Sequence, residues 1–209
     1  MPKVNFRLYL ITDRRQTLTG DLATVIHDAC QAGVKAIQLR EKDLTARELF
    51  SLAANIQSTC RTTNTKLFIN ERADIAHALD LDGVQLTSRS FPVQAARKIL
   101  APEKLIGVST HSLNEASLAE KDGSDFLLFG PVFPTPSKYR YGKPQGLEKL
   151  KDMTRKTKIP VFAVGGITPE RALKCVENGA FGVAVISAIM KSQNIGKKVE
   201  EFETYLSKL

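Results

Sequence analysis

Two stretches carry the same signal: Val164-Gly165-Gly166-Ile167-Thr168, and one helix later Gly182-Val183-Ala184-Val185-Ile186-Ser187. Each is an apolar run that ends in small or hydroxyl residues just before a helical pattern. The first reads as a buried strand, a glycine turn, and Thr168 as N-cap ahead of Pro169 at the first helical position. The second reads as a buried strand with Ser187 capping a short turn. Backbone N–H groups at two adjacent helix starts, with no Cβ in the way at the glycines, predict an anion cradle.

Working outward, apolar runs recur in step with amphipathic ones. The candidate strands are Leu8–Thr12, Ala36–Leu39, Leu67–Ile69, Gly83–Leu86, Leu105–Val108, Phe126–Phe129, Val161–Val164 and Gly182–Ile186. They are short and mostly continuous, as expected for strands buried on both faces. Helical patterns separate them: Asp21–Ala32, Thr45–Thr59, Arg72–Leu79, Val93–Leu100, Ser112–Lys121, Leu147–Arg155 and Pro169–Asn178, with a last helix starting near Ile195 or just after Gly196. Thr45 with Glu48, and Ser112 with Glu115, have capping-box spacing. Strands alternating with helices argue for a parallel sheet, and eight similar units for closure. The predicted fold is α/β, a single (β/α)8 TIM barrel forming one domain over residues 1–209. An open doubly wound sheet is the alternative, but no G-x-G-x-x-G follows the first strand. The loops after strands seven and eight of such a barrel commonly hold phosphate, so a phosphorylated small molecule is the expected ligand. The one long connection, Pro131–Gly146, is rich in proline, glycine and basic residues, and loops that long are usually functional.

Composition narrows the class. The chain has 209 residues, 43% hydrophobic, enough for a core without staples. No apolar run approaches the roughly 18 residues of a membrane span, and Met1–Arg7 lacks the apolar core of a signal peptide. A cytoplasmic protein with no membrane partner is expected. Three widely spaced cysteines, Cys30, Cys60 and Cys175, read as reduced structural thiols. The net charge of +8 is scattered, without an aromatic-interleaved basic patch or recognition helix, so no nucleic-acid partner is expected.

Residues just past each strand's C-terminal end share one face of a barrel. They are Asp13; Arg40, Glu41 and Lys42; Asn70 and Glu71; Thr87 and Ser88; Ser109, Thr110 and His111; and Pro131 to Lys138. Singly, each has a plain structural reading. Asp13, Ser109 and Thr110 could cap helices, and Arg40 and Glu41 could pair, although alternate strand residues point to opposite faces. His111 is the best general acid/base candidate, because His27 and His77 lie within helices. Its other reading is packing at the helix start before Ser112. No Cys/His metal cluster exists, and Glu71 is a possible oxygen ligand with no second carboxylate clearly beside it.

With those residues in hand, the chain resembles the thiamine-phosphate synthase/thiazole tautomerase superfamily over nearly its full length. Tyr9-Leu10-Ile11-Thr12-Asp13 looks like its opening strand, and Gln38-Leu39-Arg40-Glu41-Lys42 like its pyrimidine-diphosphate motif. Phe129 to Lys138, then Gly146-Leu147-Glu148, resembles its long loop. Val164 to Ile167 and Val185-Ile186-Ser187 resemble its thiazole-phosphate cradle.

The resemblance implies a (β/α)8 barrel and thiamine biosynthesis. It assigns Gln38, Arg40, Lys42, Asn70, Ser109 and Lys138 to a pyrimidine diphosphate. It assigns Thr135, Pro136, Ser137, Gly165, Gly166, Ile186 and Ser187 to a thiazole phosphate. The synthase pattern also supplies two aspartates for magnesium, where this chain has Glu71 and Ser90. The expected activity is therefore a cofactor-free thiazole tautomerase, with His111 moving a proton. The alternative is thiamine-phosphate synthase, with Mg2+ on Glu71 and Arg89 offsetting the missing carboxylate by contacting the diphosphate. A third reading is a non-catalytic phosphate-ligand regulator. The expected partners are a phosphorylated thiazole and, for the synthase, a pyrimidine diphosphate; a homodimer is compatible with each reading.

Overall fold

The computed structural model describes residues 4–18, 21–135 and 143–207. Eight parallel strands close in sequence order: β1 (Leu8–Ile11), β2 (Ala36–Leu39), β3 (Lys66–Asn70), β4 (Gly83–Leu86), β5 (Leu105–Thr110), β6 (Phe126–Phe129), β7 (Val161–Val164) and β8 (Gly182–Val185). β8 returns to β1 through the register Leu8 to Val183, Tyr9 to Ala184 and Leu10 to Val185. The surrounding helices are α1 (Leu22–Gln31), α2 (Ala46–Thr62), α3 (Ala73–Ala78), α4 (Val93–Ile99), α5 (Leu113–Lys121), α6 (Gly146–Lys156), α7 (Pro169–Glu177), α8 (Ser187–Met190) and α9 (Ile195–Leu206). The predicted (β/α)8 TIM barrel is the observed architecture, and no described helix is long and apolar enough to cross a membrane.

Strand alternation divides the core in two. Outward residues such as Leu10, Ile37, Leu67, Ile69 and Val183 pack against the helices. Inward residues Tyr9, Phe68, Phe126 and Phe162 meet Phe6, which precedes β1, in an aromatic cluster. Register sets size against size: Phe68 pairs with Gly83, Phe126 with Gly107 and Phe162 with Gly182. A Cβ on Gly107 would stand 2.4 Å from the Phe126 ring, so these rings fill the space a neighbouring side chain would occupy. Each buried phenylalanine contributes about 1.5–3 kcal/mol through removal from water. The filled floor closes the barrel from below, so a ligand can enter its centre only through the upper mouth.

Most helix starts follow their sequence signals. Thr45 and Glu48 form a reciprocal capping box on α2, and Thr168 caps α7 with Pro169 in its first turn. Several boundaries differ, among them that β1 ends at Ile11 and β8 at Val185, one residue earlier than expected. β5 runs on through Ser109 and Thr110, which were expected just past it. β3 includes Lys66 and Asn70 because both still pair with neighbouring strands. Ser187 is the first residue of α8 and does not cap it; Ile186 holds that position, without a side-chain hydrogen bond. All three cysteines are buried and free.

Candidate active site

The β6–β8 side of the mouth is built around a backbone turn. Gly165 and Gly166 have φ of +97° and +65°, a region costly for other residues. A Cβ on Gly165 would lie 2.6 Å from Pro131 Cβ, and one on Gly166 2.6 Å from the Pro134 carbonyl oxygen. The N–H of Val132 donates to Val164 O at 2.9 Å, and that of Phe133 to Gly165 O at 3.1 Å. The glycines thus admit the start of the long β6–α6 connection as well as exposing backbone. Arg171 of α7 holds the turn from behind, donating Nη1 to Gly166 O at 2.7 Å and lying 4.8 Å over the Phe133 ring. Ser187, as a first helical residue, has an N–H without an intrahelical acceptor. Of the expected loop residues, Thr135 ends a described stretch, while Pro136, Ser137 and Lys138 lie outside the described residues.

The opposite side, β2 to β5, carries a polar network. Gln38 Nε2 donates to Asn70 Oδ1 at 3.1 Å, and Asn70 Nδ2 donates to Glu71 Oε2 at 3.0 Å. Glu71 Oε1 accepts from Ser90 Oγ at 2.6 Å and from Thr87 Oγ1 at 3.0 Å. Burial raises the Glu71 pKa, but hydrogen bonds from Ser90, Thr87 and Asn70, with the charge of Lys42, outweigh it and leave the carboxyl below its usual range. On the next strands, Gln85 Nε2 donates to Ser109 Oγ at 3.2 Å. Ser109 is therefore part of the mouth and not a helix cap. The Oε1 atoms of Gln38 and Gln85 are buried without any donor.

Below the basic loop after β2 sits a buried carboxylate. Glu41 accepts from Thr12 Oγ1 at 2.6 Å, from the Arg14 N–H at 3.1 and 3.2 Å, and from Arg14 Nη1 at 3.1 Å. The pairing with Arg40 considered from sequence is not the one formed; Arg14 takes that place. Arg14 also forks onto Asp43 at 2.6 and 2.7 Å. That contact, with Arg15 beside it, holds the Asp43 carboxyl well below the ordinary range. Asp13 caps the short 3-10 turn over Arg14–Gln16.

His111 has a side chain 50% exposed, with Nδ1 3.3 Å from Glu115 Oε2. Its backbone N–H donates to the same oxygen at 2.7 Å. Ser112 caps α5 by accepting from the Glu115 N–H at 3.2 Å, but the Glu115 carboxylate turns to His111 and completes no capping box. His111 thus engages Glu115 at the start of α5, with its ring half exposed.

Thr12, Arg14, Asp43, Gln85 and Arg171 escaped sequence reasoning as site-builders. Only the inward parity of Gln85 with Gly83 points to its place; Thr12, Arg14 and Asp43 work through partners distant in sequence, and Arg171 turns back onto Gly166 five residues before it.

Among the described residues no group of three or more His, Cys, Asp or Glu could cage a metal. Glu71 is a lone carboxylate with three side-chain donors already on it. Mg2+ often uses one or two carboxylates and completes its shell with water and substrate phosphate. The donor set fits magnesium only in that shared form, arriving with a diphosphate.

Residues 8–189 match the family described as thiamine monophosphate synthase. A thiamine-phosphate synthase of Clostridium novyi is 41% identical over 192 residues, covering 92% of this chain and 94% of that protein. One from Clostridium acetobutylicum is 39% identical over 200 residues, covering 95% and 93%. A solved thiamine phosphate pyrophosphorylase from Pyrococcus furiosus superposes with a TM-score of 0.89 at 37% identity, covering 99% of this chain and 97% of that one.

Proposed function

The chain belongs to the thiamine monophosphate synthase family, and we propose that it joins a hydroxymethylpyrimidine diphosphate to a thiazole phosphate with release of diphosphate. The relatives' names support this synthase reading over the tautomerase expected first. One observation carries it: the two buried carboxamide oxygens of Gln38 and Gln85 have no donor. They lie across the ring from the β7 turn, on strands β2 and β4. A buried unpaired acceptor is costly, and an amino-substituted pyrimidine brings the N–H donors these lack. A tautomerase acting on one thiazole needs no such second wall.

The thiazole ring nitrogen attacks the pyrimidine methylene carbon. The new C–N bond forms as the C–O bond breaks, and its electron pair leaves with diphosphate. Arg40, Lys42 and Lys138 offset the charge that develops on the leaving group. Glu71, with the substrate's phosphate oxygens, would hold Mg2+, which supplies further charge neutralisation there. The Gly165–Gly166 turn and the Ile186–Ser187 helix start hold the thiazole phosphate by backbone N–H groups, with Thr135, Pro136 and Ser137 of the long loop.

The test is incubation of purified protein with both phosphorylated halves and Mg2+, following the coupled product by mass spectrometry. Coupled product supports the reading; none at high enzyme concentration removes it.

A further inference from the structure

We infer that Glu41, with Thr12 and Arg14, is a positioning clasp that aims Arg40 and Lys42 at the diphosphate; this rests on the condensation reading above. Glu41 is 5% exposed and Thr12 0%, so neither is a surface ion-pair partner. Thr12 Oγ1 works in two directions. It accepts the Arg40 backbone N–H at 3.0 Å and donates to Glu41 Oε1 at 2.6 Å. Thr12 N–H itself donates to Gln38 O at 2.9 Å, so the end of β1 grips β2 on both sides of Leu39.

Strand parity then assigns the roles. Ala36 and Gln38 face the barrel interior, and Arg40 continues their face. Glu41 takes the other face, with Ile37 and Leu39. A buried carboxylate persists only when paired and hydrogen-bonded. Here the partner is Arg14, whose second fork locks Asp43 at the far end of the same loop. The loop that bears Arg40 and Lys42 is therefore pinned at Arg40 N, at Glu41 and at Asp43. Its two cations are left free of the clasp: the carboxylates flanking them are spent on Arg14 and Arg15. A loop held this way has its backbone already ordered when the anion arrives, which lowers the cost of binding.

The experiment compares wild type with Thr12→Val, Thr12→Ser and Glu41→Gln. Inorganic pyrophosphate affinity and thiazole phosphate affinity are read by calorimetry, and KM for each substrate by turnover. Thr12→Val removes the hydroxyl at near-constant volume and Thr12→Ser restores it. The expected result is a loss of about tenfold in pyrophosphate affinity for Thr12→Val and Glu41→Gln. KM for the pyrimidine diphosphate rises in parallel, thiazole phosphate affinity is unchanged, and Thr12→Ser recovers the loss. A merely structural role would lower melting temperature while leaving both affinities equal to wild type, or weaken both ligands alike; either result overturns the clasp. If wild type condenses the halves and Thr12→Val binds pyrophosphate normally, the clasp fails and the activity stands. If wild type makes no product but pyrophosphate binding still depends on the Thr12 hydroxyl, the clasp stands and the activity fails.

Discussion

The Ser90 hydroxyl donates to Glu71 Oε1 at 2.6 Å, so a serine supplies a hydrogen bond where the family pattern puts a second carboxylate. Ser90→Asp would set two carboxylates against each other, which cannot both ionise cheaply without a cation. The variant should melt lower than wild type in chelator and recover in millimolar Mg2+, whereas wild type should not respond to Mg2+ alone. Thermal melts with and without the metal check this. A variant indifferent to Mg2+ would mean the two side chains do not face a common cation position.

Glu71 makes acid stability readable. Burial raises its pKa, but the donors Ser90, Thr87 and Asn70, with Lys42, more than offset that and leave it below the ordinary glutamate value. A folded-state pKa below the unfolded one gives stability that is present above the ordinary glutamate value and lost as pH falls through the folded value. The pH-dependent part of the difference between wild type and Glu71→Gln should therefore be largest near neutrality. It should shrink below about pH 4. Denaturant titrations across pH give the curve, and a difference growing in acid would reverse the assigned sign.

Gly166→Ala should cost about 1–3 kcal/mol, because alanine resists φ > 0 and its Cβ would meet Pro134 O at 2.6 Å. Thiazole phosphate should bind more weakly, since the turn and the docked loop move together. Gly33→Ala is the comparison, with φ of +100° and nothing within 4 Å of the added carbon. It should lose stability by strain alone and keep its affinity. Equal affinities in both variants would separate the turn from the ligand.

His111→Ala should keep the condensation within about tenfold of wild-type kcat, since general acid–base groups are worth 10²–10⁴-fold only where a proton moves. Alkylation of a neutral ring nitrogen transfers none. A thousandfold loss would restore a proton-transfer role for the histidine.

The barrel was legible because its strands are continuous apolar runs, buried on both faces, at regular intervals. The capping signals of Thr45 and Thr168 are local and were equally readable. Hydroxyl residues such as Ser109 and Thr110 resemble a strand's end in sequence, but their pairing with Leu128 and Phe129 keeps them in the sheet. In sequence the glycine pair reads as an open backbone, but its close approach to Pro131 and Pro134 joins segments some thirty residues apart. Glu41 shows the same limit. Parity put it opposite Arg40's face, yet its partner Arg14 lies 27 residues away, and only the closed sheet brings β1 and β2 ends together.

The central claim is that the β7 turn and the β8 helix start grip one phosphate while the β2–β4 wall receives the other substrate. A crystal structure with a thiazole monophosphate and inorganic pyrophosphate tests it most directly. The thiazole phosphate should lie against Gly165, Gly166, Ile186 and Ser187, with pyrophosphate beside Arg40 and Lys42. A thiazole phosphate bound elsewhere, with the glycine turn bare, would contradict it.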